Sequence, residues 1–191
     1  MKNKSTSRSF LLFLLLMMAS VACSQAERIG PFVLGLDQYL VEGNFGRGAT
    51  VTFGQFELVH VYGTKDGNAV SVTYDRAGDP RQSFVDGVLL MRQKDLPRSK
   101  SSLSSLAPMA TRRGIKIGDG KKKVLAAYGD SCGRETLSKA NVDDLHLPPS
   151  FQGAEVWSYN VWGDEDGVAR YTKFYIKNGE IIAIELYDEG C

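Results

Sequence analysis

Three cysteines and two histidines are the side chains in this 191-residue chain with the widest chemical scope. Cys23 falls at the end of an apolar N-terminal run, which sets it aside as a signal or lipid-bearing residue. Cys132 and Cys191 remain, and an even pair in an oxidising compartment reads as one disulfide. The loop it would close spans about 60 residues, and chain entropy puts such a staple at ~3 to 5 kcal/mol. The alternative is two unrelated thiols. His60 and His146 lie far from any Cys-x-x-Cys, so no metal site is expected. Neither histidine has a placed partner in the sequence, and each is expected to be structural rather than catalytic. Asp164, Glu165, Asp166 and Gly167 resemble part of a calcium loop but lack its spaced ligands, so a turn is expected there. Lys121, Lys122 and Lys123 could meet phosphate, although lysines in a first helical turn more often form a solvated face.

The other conspicuous side chains are aromatic. Trp157, Tyr159 and Trp162 fall within one expected strand, with Tyr171, Phe174, Tyr175 and Tyr187 on its neighbours. Alternation places Trp157 and Tyr159 on one face and Trp162 on the other. Some of this set must be core, and the rest could anchor a partner. Trp157, Tyr159, Trp162, Tyr171 and Tyr175 are the candidate binding residues.

Composition narrows the setting. The chain is 43% hydrophobic and 24% charged, ordinary for a globular protein. Lys2, Lys4 and Arg8 precede an uncharged apolar run at residues 10–18, and small residues follow at Ala19, Ser20, Ala22, Ser24 and Ala26. This is the pattern of an export signal over residues 1–26, too short to cross a bilayer of roughly 20 apolar residues. Two processing readings stay open. Ser24-Gln25-Ala26 offers a small-x-small site before Glu27, and Ser20-Val21-Ala22-Cys23 is an imperfect lipobox in which Cys23 would carry lipid. Taking three basic side chains from 23 leaves 20 against 22 acidic ones, a mature net charge of −2. No long-range basic field for nucleic acid or anionic lipid is therefore expected.

Two parts of the chain resemble each other. Residues 32–46 align without a gap onto 115–129, so that Gly35, Val41 and Gly46 match Gly118, Val124 and Gly129, and Phe45 matches Tyr128. Residues 61–67 match 161–167, and 73–78 match 174–179. The first block reads as one short helix, with Asp119 placed to cap its start and Gly129 to end it. The second reads as alternating strand running into an Asp-Gly turn. In the third, Asn178-Gly179 between two apolar alternating runs is a strong hairpin signal.

These observations lead to an α+β expectation: two tandem repeats, each a short helix packed on a three-stranded antiparallel meander. The expected boundaries are 1–26 for the signal, 27–98 for the first repeat, 99–111 for a Ser-rich connector and 112–191 for the second repeat. Residues 133–152 have no counterpart in the first half and are expected to be a long loop.

The phrase Ile117-Gly118-Asp119, a short helix ending at Tyr128-Gly129, and a following meander resemble the tandem-repeat proteins related to the β-lactamase inhibitory protein and the small outer-membrane assembly lipoproteins. Gly129-Asp130-Ser131-Cys132 also resembles the inhibitor. The resemblance spans most of residues 29–190 and implies an exported, non-enzymatic module that holds another protein through a sheet face or loops. This chain departs from the inhibitor in having one possible disulfide, and its loops do not match the inhibitor's target-contacting ones, so no target is carried over. The expected function is therefore protein binding in the periplasm, outside the cell or at the outer membrane. No cofactor and no nucleic acid are expected, and membrane contact is expected only through lipid on Cys23. The alternatives are a structural envelope lipoprotein anchored at Cys23 and a hydrolase of envelope polymer.

Overall fold

The computed structural model describes residues 27–53, 56–75, 83–96, 103–145, 147–162 and 169–189. Cys23, His146, Cys191 and the expected turn at 164–167 lie outside them. The chain opens with a small hairpin, β1 (Arg28–Ile29) and β2 (Phe32–Val33). Helix α1 (Gln38–Phe45) follows, then β3 (Ala49–Phe53), β4 (Phe56–Thr64), β5 (Asn68–Tyr74) and β6 (Val85–Arg92). A short β7 (Ser105–Leu106) precedes α2 (Lys121–Tyr128), β8 (Gly133–Thr136) and α3 (Lys139–Asp144). The chain ends in β9 (Glu155–Trp162), β10 (Ala169–Lys177) and β11 (Glu180–Glu189).

The expectation of two helix-on-three-strand units is corrected. β3 to β11 form one nine-stranded sheet in the order β3-β4-β5-β6-β11-β10-β9-β8, with β7 pairing in parallel with the end of β4. The seam is the antiparallel pairing of β6 with β11, where Met91 faces Ala183 and Val88 faces Leu186. Both strands carry continuous apolar runs, Val88 to Met91 and Ile181 to Ile184, the pattern of strands buried on both faces. Merging the sheets covers two edges that separate units would leave open for mispairing.

The sheet carries packing on both faces. On the first face, Val41 of α1 and Val124 of α2 sit in one cluster with Phe32, Tyr62, Val70, Val72, Trp157, Tyr159, Phe174 and Ile184. Each helix ends at a glycine with positive φ, Gly46 at 75° and Gly129 at 77°, where a side chain would be strained. Asp119 does not cap α2, which starts one residue later than expected. Its carboxylate instead accepts hydrogen bonds from the Lys116 amide at 2.8 Å and Lys123 Nζ at 2.7 Å. The Asn178-Gly179 turn joins Lys177 and Glu180 with both central φ angles positive, 53° and 81°.

The stretch 133–152 is ordered structure, not a long loop. It contains β8, α3 and a turn of 3₁₀ helix at Pro149–Phe151. Ser138 closes a capping box with Asn141, its hydroxyl accepting from the Asn141 amide at 3.1 Å while the Asn141 side chain accepts from the Ser138 amide at 3.0 Å. Leu137, Val142 and Phe151 from this stretch cover Met91, Val156, Tyr175 and Ala183 on the second face. At the other end of the same face, Leu96 and Leu103 lie over Val51, Val61 and Ala69.

Candidate functional site

Strand register divides the second face into rows. The row through Val156, Tyr175, Ala183, Met91 and Ala69 lies under the two caps just described. The next row on that face runs Ser158, Lys173, Glu185, Leu89 and Ser71, and the one beyond it runs Asn160, Tyr171, Tyr187, Gly87 and Thr73. The first of these rows is covered toward β5, where Ser71 is 4% exposed and Leu89 packs against the core under the cap, whereas Asn160 and Thr73 in the second are exposed. The two rows cross five strands, a width of about 19 Å at normal strand spacing.

The chemistry of the two rows is mixed polar and aromatic. Tyr171 and Tyr187 are cross-strand partners whose rings stack at 5.2 Å with a 17° interplanar angle. Lys173 Nζ lies 4.3 Å over the Tyr187 ring, a cation–π contact, and faces Glu185 across the ladder. The Tyr175 hydroxyl donates to Glu185 Oε2 at 2.6 Å. Burial first, and the Glu185 carboxylate second, push that phenol above its usual range. Tyr171, Lys173, Glu185, Tyr187 and Leu89 are half-buried, while Asn160 and Thr73 are exposed. The Thr73 side chain fills the space over Gly87, where a larger residue would collide with its hydroxyl. The rows thus present rigid tyrosines, already ordered by stacking, amid adaptable hydrogen-bonding groups.

The candidate aromatics separate. Trp157 and Tyr159 are 5% exposed and lie on the helix-covered face, where Tyr159 packs against Tyr128 and Phe174, so neither is available as an anchor. Arg134 stacks its guanidinium 4.3 Å from the Trp157 ring and closes the edge of that core. Tyr175 is on the second face but under the cap, packed on Phe151. Tyr171 alone of the candidates stands in the uncovered rows, and the Trp162 side chain lies outside the described ones. Tyr187, its stacking partner, is the residue missing from the candidate set. Its signal was alternation with the buried Leu186, combined with pairing to Tyr171.

Cys132 is exposed, and its Sγ lies 3.1 Å from the Ser158 carbonyl oxygen. Register places it in line with Tyr159, Thr172 and Leu186, three strands from β11. Glu189 is three residues further along β11, so its Cα is about 17 Å away, and two more residues reach about 7 Å. A Cys132–Cys191 bridge therefore closes only if the end of β11 leaves β10, because bonded cysteines need Cα atoms within about 7 Å.

A Gly-x-Ser-x-Gly elbow is not expected in this chain, yet residues 129–133 spell Gly-Asp-Ser-Cys-Gly, which has that spacing. An elbow turns from strand into helix, whereas Ser131 lies between α2 and β8, and its Oγ accepts from Arg134 Nε at 2.8 Å. His60 sits on β4 at φ 57°, its ring edge-on to Tyr74 at 4.8 Å and its Nδ1 3.8 Å from Glu42. Among the described residues no group of three or more His, Cys, Asp or Glu side chains could hold a metal ion. No family model, curated protein or solved structure matches this chain.

Proposed function

We propose that this chain is an exported, non-enzymatic protein-binding module, and that its contact surface is the pair of uncovered rows on the second sheet face. The observation carrying the reading is the stacked Tyr171–Tyr187 pair, held half-buried beside Lys173, Glu185, Asn160 and Thr73 with no described element above it. Stacked, pre-ordered tyrosines lose little entropy on binding and supply large contact area, the usual composition of an interface centre. Of the anchors expected from sequence, Tyr171 is kept and Tyr187 joins it, while Trp157, Tyr159 and Tyr175 hold the core.

Tyr187→Ala and Tyr171→Ala test this. Retention of a partner from envelope extract should fall by at least about 30-fold, the ~2 kcal/mol of a hot spot. The melting temperature should move much less than for Trp157→Ala. Unchanged retention in both tyrosine variants would overturn the reading. A second reading, a structural envelope lipoprotein anchored at Cys23, is favoured by one contact: the Glu27 side chain, four residues after Cys23, is 7% exposed and pinned by Tyr128.

A further inference from the structure

Charge on this molecule is unevenly placed. Residues 112–123 carry Arg112, Arg113, Lys116, Lys121, Lys122 and Lys123 with one acid, Asp119. Arg113 and Lys123 tie the loop before α2 to the helix. Arg113 Nη1 donates to the Ala127 carbonyl at 2.8 Å, and its guanidinium stacks 4.4 Å from Tyr128. Lys123 Nζ donates to the Gly114 carbonyl at 3.1 Å and to Asp119. Three carboxylates offset part of this charge: Asp119, Glu155 at 3.5 Å from Lys121, and Glu27 at 3.8 Å from Arg113. Basic side chains thus outnumber acidic ones among the described residues of this surface, in a mature chain whose total is −2. Lys116 and Lys122 are exposed and form no ion pair among the described residues.

Two further observations point to what such a surface meets. Leu125 is 42% exposed on the outer side of α2, directly among the lysines. A soluble polyanion has no use for it, whereas an aliphatic side chain ringed by lysines suits the headgroup boundary of a bilayer. The chain also enters the fold at this surface. Glu27 accepts from the Tyr128 hydroxyl at 2.7 Å and from the Arg112 amide at 2.8 Å. In the lipoprotein reading, on which this inference rests, the hydrophobic attachment at Cys23 joins the protein here. Four residues from Cys23 to Glu27 reach about 14 Å at most, so a bilayer holding that end lies close to the lysines.

We infer that the outer side of α2, with Lys116, Lys122 and Leu125 at its centre, is a docking surface for an anionic phospholipid bilayer. Attachment at the N-terminus and attraction at α2 then act together, since neither one lipid chain nor a small basic patch alone holds a protein firmly. The helix-covered face turns toward the membrane, and the two uncovered rows point away from it.

The test compares the full chain on vesicles of phosphatidylcholine with 30% phosphatidylglycerol and on phosphatidylcholine alone, reading the ratio of the two partition coefficients. The apolar run contributes to both, so the ratio isolates charge. The double variant Lys116→Gln, Lys122→Gln should lower the ratio by about 30-fold, two charges at about fivefold each. A control that removes two lysines elsewhere, Lys65→Gln with Lys139→Gln, should leave it within about twofold. Leu125→Ser should weaken binding to the anionic vesicles without changing the salt dependence. If the double variant fails to fold, Lys122→Gln alone decides at about fivefold. Equal ratios for the wild type and the Lys116, Lys122 variants would overturn the inference. So would loss of binding to polyphosphate in those variants with the vesicle ratio unchanged, which would assign the surface to a soluble polyanion.

Discussion

α1 and α2 are built alike on their inner side and differently on their outer side. Each has eight residues, buries one valine and stops at a glycine whose amide donates back into the last turn. A tyrosine from the sheet then donates to that glycine's carbonyl, Tyr62 to Gly46 at 2.8 Å and Tyr159 to Gly129 at 3.2 Å. Three rings close each junction. Phe32, Phe45 and Tyr62 meet at 5.3 to 6.4 Å under α1, and Tyr128, Tyr159 and Phe174 at 4.9 to 5.7 Å under α2. The third ring has a different origin in each, since Phe32 comes from the N-terminal hairpin and Phe174 from the sheet itself. The outer sides differ in charge: α1 exposes Tyr39 and Leu40, and α2 exposes three lysines beside Leu125. Packing constrains the inner side of such a short helix, and the outer side is left to diverge.

The largest expected effect lies at the third ring. Phe174→Ala and Phe32→Ala each remove a fully buried ring and should each lower unfolding free energy by about 3 to 5 kcal/mol. A much smaller loss at Phe32, measured by urea unfolding, would show that the N-terminal hairpin is peripheral and break the comparison. Next come the hydroxyls. Tyr62→Phe should cost about 1 kcal/mol and Tyr159→Phe somewhat less, because its hydrogen bond is longer. Equal stability of wild type and Tyr62→Phe would remove the tie to Gly46 from the account.

Alkaline titration sharpens the same contrast. Burial, with Glu42 second, raises the Tyr62 phenol from 10.0 to about 12. The unfolded chain ionises first, so this contribution is complete below pH 10 and is lost as pH rises from 10 to about 12. Melting temperature should therefore fall across that window, and Tyr62→Phe should flatten the fall. A fall of unaltered steepness in Tyr62→Phe would assign it to other buried phenols. The smallest effect is expected outside: Tyr39→Ser and Lys122→Gln should each change stability by less than about 0.5 kcal/mol.

Local signals were legible where one segment determines the result. Val124 and Gly129 mark α2, and Asn178-Gly179 marks the last hairpin. The single sheet was not legible, because it depends on β6 meeting β11, where Met91 and Ala183 pair across about half of the chain's length. The apolar runs said these strands were central but could not name their partner. The match of residues 61–67 to 161–167 also misled, since the side chain playing the part of Tyr62 is Tyr159 and not Trp162. α3 was hidden because its capping box closes with Asn141, outside the usual Glu or Gln signature. At the candidate site, alternation correctly grouped Trp157 with Tyr159. It does not say which face the helices cover, a property of tertiary packing alone, and so it does not separate core aromatics from anchors.

The central claim, that the uncovered rows are where a partner sits, is tested most directly by a photo-crosslinking residue placed at Asn160 or Thr73 in cells exporting the chain, with Tyr39 on the outer side of α1 as the reference position. The account expects one discrete crosslinked protein from both row positions and none from position 39. Crosslinks absent from the rows, or of the same identity and yield at all three positions, would contradict it.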